Sequence, residues 1–125
     1  MTEKRTYPRF ESKIKCTFDY YEGDPETIDM ELEHPEQGKG YVMDISKGGV
    51  FIISDERVAV SMPVKVSFSI GKARFNPRGV IVRTGLLENN PSEIARRFSR
   101  YSAKGETYIA VEFSEPLEDF DTNKL

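Results

Sequence analysis

The chain has 125 residues, of which 38% are hydrophobic and 31% charged, with a formal net charge of −3. That length suits one domain and that apolar content one modest core, which excludes a compositionally disordered chain. The slightly acidic balance excludes a generic polyanion binder, so any anion has to be held by a local basic cluster rather than by the field of the whole molecule.

In chain order, residues 1–12 read as a flexible arm carrying Lys4, Arg5 and Arg9. No apolar run follows these charges, so no secretory signal is expected. The longest apolar stretches are a few residues, too short to insert in or span a bilayer. The single cysteine, Cys16, rules out an internal disulfide and fits a reducing compartment. A soluble, cytoplasmic protein is the expectation.

Residues 13–116 read as the folded domain. Ile14, Cys16, Phe18 and Tyr20 alternate with Lys13, Lys15, Thr17 and Asp19, the period of a half-buried strand. Alternation at Cys16 makes it a core residue rather than a nucleophile. Residues 22–40, acidic and punctuated by Pro25 and Pro35, read as a long loop. His34, the one histidine, falls in that loop and is expected to be exposed. The loop's carboxylates lack the spacing of a calcium-binding loop. Gly40–Asp44 is a short candidate strand. Gly49–Ser54 and Gly79–Arg83 are β-branched runs expected in more deeply buried strands. Val64, Val66, Phe68 and Ile70 alternate with polar residues, as do Ile109, Val111 and Phe113.

Asn90-Pro91 is a cap followed by proline at a first helical position, and Ile94, Ala95, Phe98 and Tyr101 recur at helical spacing. A short helix is therefore expected between the last two strands. Its Arg96, Arg97 and Arg100 read as a solvated face. Arg83 is equally consistent with an outward strand position and with a binding site. Residues 117–125 read as an acidic, frayed tail. Six short strands with almost no helix between them indicate an all-β antiparallel sandwich or barrel.

Two motifs carry chemistry. The first is Arg5-Thr-Tyr-Pro-Arg9, two arginines four residues apart, preceded by Lys4. The second is Asp44-Ile45-Ser46-Lys47-Gly48-Gly49, leading straight into a hydrophobic strand. Either alone is weak: the first could be a solvated tail, and Asp and Ser before glycines commonly build turns. Together, in this order, they resemble the ligand-binding signature of the PilZ family. The Gly79–Arg83 and Tyr108–Phe113 strands also resemble that family's, so the likeness spans roughly residues 4–116. It implies a six-stranded antiparallel β-barrel and a receptor for the second messenger cyclic di-GMP, with Arg5, Arg9, Asp44, Ser46 and Gly49 as ligand-binding positions. Lys4 stands where the family often has a third arginine, and Ala110 where many members have glycine.

The chemistry of that ligand suits those residue types. Guanidinium forks match phosphate oxygens and the O6/N7 edge of guanine. A carboxylate at Asp44 matches guanine's donor edge, Ser46 adds a hydroxyl, and Gly49 removes a Cβ where the backbone turns or the ligand approaches. The resemblance further implies a partner protein that reads the bound state in motility, biofilm or exopolysaccharide control, and a monomer or weak dimer. No catalytic grouping, zinc cluster, phosphate-binding glycine loop or other cofactor site is evident, so the protein is not expected to be an enzyme. Two other readings compete. One is a degenerate adaptor of the same family that binds proteins but no nucleotide; the other is a small nucleic-acid-binding barrel, against which the acidic balance argues.

Overall fold

The computed structural model describes residues 7–21, 26, 27, 29, 32, 34–87 and 107–125. The expected helix and its three arginines lie outside these residues. Among the described residues seven strands form: β1 (Phe10–Tyr20), β2 (Glu36–Ser46), β3 (Gly49–Ser54), β4 (Pro63–Ile70), β5 (Ala73–Phe75), β6 (Arg78–Leu86) and β7 (Thr107–Phe113). Six of them close into an antiparallel barrel in the order β1-β2-β3-β7-β6-β4, because β4 pairs with β1 as well as with β6. Closure satisfies the strand edges that an open sheet would expose. The seventh, β5, is a three-residue hairpin partner of β4 outside the ring.

Alternation fills the barrel as expected. Cys16, Phe18 and Tyr20 of β1, Val64, Val66, Phe68 and Ile70 of β4, and Ile109, Val111 and Phe113 of β7 all point inward and join one core with Val42, Ile45, Ile52 and Ile81. Each such side chain contributes roughly 1.5–3 kcal/mol by leaving water. β3 is buried on both faces, with Ile52 inside and Ile53 in a second, outer cluster with Met43 and Leu87.

Four expectations are corrected. β2 begins at Glu36, so residues 36–40 are strand rather than loop. β1 begins at Phe10, three residues inside the expected arm. β6 is not buried on both faces: Ile81 is inaccessible, while Val80 and Val82 are 39% and 43% exposed. The tail is packed, not frayed: Leu117, Phe120 and Leu125 rest against the core, and Thr122–Lys124 form a 3-10 turn capped by Asp121. Among the described residues, no helix is long and apolar enough to cross a membrane.

Candidate functional site

The site is built around the β2–β3 turn. Ile45 is sunk into the core, which fixes the end of β2; of its two neighbours, Asp44 is itself buried and Ser46 half-buried. The Ser46 hydroxyl oxygen accepts a hydrogen bond from the Gly48 backbone N–H at 3.1 Å, a side-chain-closed turn of the kind these residue types favour. The turn is braced from outside. Phe113 N–H donates to the Gly48 carbonyl at 2.9 Å, and Leu117 N–H donates to the Lys47 carbonyl at 2.8 Å.

Gly49 answers to a constraint inside the barrel itself. A Cβ there would run into the Val111 carbonyl of β7. The absent side chain therefore allows close approach of β3 to β7, with Gly49 opposite Glu112. At Gly48 a Cβ would instead meet the ring of Tyr7 at 3.1 Å, which places Tyr7 directly on the turn.

Arg9 enters from the residue before β1 and faces Asp44, Nη1 to Oδ2 3.8 Å, with side chains 41% and 12% exposed. That distance is an ion pair, too long for a direct hydrogen bond. The two motifs, 35 positions apart between Arg9 and Asp44, thus meet at one place. Lys4 and Arg5 lie outside the described residues.

Two β-bulges extend the site across the sheet. β2 carries one extra residue between Val42 and Asp44, and β6 one between Ile81 and Arg83. Each re-aims the residue that follows. The result is a transverse row over four strands, Asp44–Phe51–Ala110–Arg83, in which every neighbouring pair is in register. Tyr7, Arg9, Ser46, Gly49 and Glu112 join this row around a concave surface of about 380 Å³. Its apolar floor includes Phe51, Val82 and Ala110. Phe51 is held flat by stacking on Tyr108, with centroids 5.7 Å apart and planes 5° from parallel. Arg83, which the sequence left open, is therefore a member of this surface. Tyr7 and Phe51 were missed. The only sequence signal for Tyr7 is an aromatic between the two arginines, and Phe51 sits in an apolar run that reads as core throughout.

A larger hollow of about 700 Å³, bordered by Lys15, Tyr41, Ser67 and Arg74 among others, shares no residue with this surface. Size does not choose between them; the convergence of the arginine arm with the Asp44–Gly49 turn selects the smaller one. Cys16 is in the core, and burial pushes its thiol up to about 12, only partly offset by a backbone hydrogen bond at Gly40. His34 is exposed. Among the described residues, no three histidine, cysteine or acidic side chains are grouped to hold a metal ion.

Comparison with known proteins bears on the fold and the family. No curated protein sequence matches the chain. Its fold is similar to that of Bacillus subtilis Inhibitor of motility (MotI/DgrA), with TM-score 0.59 and 14% identity over 93% of this chain, which spans 45% of that one. It is also similar to the PilZ domain of YcgR from Escherichia coli, solved with c-di-GMP, with TM-score 0.54 and 13% identity over 90% of this chain and 79% of that one. At these identities the two likenesses speak for the barrel. The PilZ domain model itself matches residues 3–118, both motifs included, and the chain belongs to the PilZ domain family.

Proposed function

We propose that this chain is a cyclic di-GMP receptor whose bound state is read by a partner protein. The observation that carries the reading is the meeting of Arg9 with Asp44 beside the Ser46 turn, at the edge of an apolar floor. One ligand has to satisfy two guanines and two phosphates. Asp44 offers paired acceptors to a guanine's donor edge. Arg9 offers planar donors to phosphate or to the O6/N7 edge. Phe51 and Ala110 offer a flat apolar seat for a base. Arg83 adds a second guanidinium at the far end of the row. Ser46 contributes a hydroxyl and Gly49 a close strand contact that shapes the wall.

Charge bookkeeping assigns the arm its part. The described surface carries Arg9 and Arg83 against Asp44 and Glu112, so it is near neutral. Two phosphates need further cations, and Lys4 and Arg5 are those the sequence supplies next to Arg9. Arginine at position 5 can bind bidentately, whereas Lys4 brings a point charge. Family membership and the ligand in the YcgR PilZ structure support the same chemistry. The reading implies a receptor rather than an enzyme, acting in the cytoplasm through an effector in motility, biofilm or exopolysaccharide control.

The test is a calorimetric titration with cyclic di-GMP, with GTP and cyclic di-AMP as controls. Charge-assisted hydrogen bonds are worth about 1.5–3 kcal/mol, so Arg9→Ala and Asp44→Ala should each weaken binding roughly 10- to 150-fold. No binding by a folded, unsubstituted chain at tens of micromolar would favour the family's protein-only adaptor role.

A further inference from the structure

The segment after β7 touches the site at both of its separate halves. Leu117 N–H donates to the carbonyl of Lys47, inside the Asp44–Gly49 turn. The Lys47 ammonium pairs with Asp119, whose carboxyl is held below its ordinary range by that partner. Phe120 then sets its ring edge-on against Phe10, with centroids 6.0 Å apart and planes 88° apart. Phe10 is the residue next to Arg9. Phe120 also meets Phe75 edge-on at 6.5 Å, and Phe75 stacks on Phe68 of the core at 5.6 Å. Lys124 finally lies over the β4–β5 turn at Gly71.

This path explains β5. Three residues pair only with the end of β4, yet they deliver Phe75 to the point where it anchors Phe120. The segment therefore runs as a strap from the ligand turn, past the root of the arginine arm, to a hairpin fixed on the core. The arm and the turn already meet inside the site through the Arg9–Asp44 ion pair, the Tyr7 ring on Gly48 and the β1–β2 pairing of Phe10 with Ile45; the strap joins the same two elements from outside it.

We propose that residues 117–120 are a positioning element of the binding surface: they hold the Lys47 turn and the root of the Arg9 arm in one register, and ligand binding and strap docking are energetically coupled. The inference rests on the receptor reading above. Coupling is reciprocal, so a ligand that bridges Arg9 and Asp44 must tighten the strap by the factor that the strap tightens the ligand. Lys47, Asp119 and Phe120 need not touch the ligand for this to hold. The exposed ion pair is the weaker link and the ring contact the stronger.

The experiment pairs cyclic di-GMP titrations with amide hydrogen exchange at Leu117 and Phe10, in the full chain and in Phe120→Ala, Phe120→Leu and Asp119→Lys. Phe120→Ala should weaken binding by at least about fivefold, the lower end of typical coupling between sites. Phe120→Leu should restore part of it. Ligand should slow exchange at the Leu117 amide in the unsubstituted chain, and less so in Phe120→Ala. The charge-reversed pair Lys47→Asp with Asp119→Lys should bind more tightly than Asp119→Lys alone. Unchanged affinity in Phe120→Ala with a folded barrel, or unchanged Leu117 exchange on saturation, would overturn the coupling while leaving the receptor reading standing. Failure of the unsubstituted chain to bind would remove the receptor reading, and the coupling with it.

Discussion

Substitution of Gly49 by alanine separates two explanations of the same residue. If its role were ligand approach, alanine would lower affinity and leave the barrel intact. The structure makes a different prediction, because the added Cβ meets the backbone carbonyl of Val111 rather than open space. Overpacking costs about 1–3 kcal/mol, and an obstacle in the backbone of a neighbouring strand cannot rotate away, so about 2–3 kcal/mol is expected. The nearby Phe113-to-Gly48 hydrogen bond, 2.9 Å long, would be strained by the same displacement. For a chain of this size that loss lowers the melting temperature by about 6–15 °C. Gly48→Ala is the matched control. Its obstacle is the Tyr7 ring, a side chain that can move, so it should cost under about 1 kcal/mol. Circular dichroism melts and urea titrations of the two variants provide the measurement. Equal stability of Gly49→Ala and the unsubstituted protein would refute the reasoning.

Two further predictions concern the core and its edge. Cys16 has a folded-state pKa of about 12 against an ordinary 9.0. A raised value means its contribution to stability is complete below pH 9 and is lost as pH rises from there toward 12. Urea midpoints between pH 8 and 10.5 should therefore fall more steeply for the unsubstituted chain than for Cys16→Ala, and the native thiol should resist thiol reagents at pH 8; equal slopes would contradict this. Thr107 is buried at the start of β7, where its hydroxyl faces the carbonyls of Ser54 at 2.8 Å and Glu56 at 2.7 Å. Thr107→Val leaves those buried acceptors without that donor and should cost about 1–3 kcal/mol in a urea titration.

The barrel was legible because alternation survives wherever inward positions carry apolar side chains. It failed in the first half of β2 for a specific reason. Gly38 faces inward there, and the Phe18 ring occupies the space a side chain would take, so the strand's apolar face carries no apolar letter. β5 was too short to show a period. The bulges at β2 and β6 leave no mark in composition, yet they decide which residues face the site. That is why Asp44 was found through its motif and Arg83 remained open. The tail's acidic residues masked Leu117 and Phe120, whose spacing matches neither a helix face nor a strand but a path over the Lys47 turn and Phe10.

The most direct test of the account is a residue-by-residue map of amide chemical shifts during titration with cyclic di-GMP. The account predicts shifts concentrated at Arg9, Asp44–Gly49, Phe51, Arg83 and Ala110, with the core amides of Phe18, Val66 and Ile109 unmoved. Shifts confined to the hollow bordered by Lys15, Tyr41 and Arg74, or no shifts at saturating ligand, would contradict it.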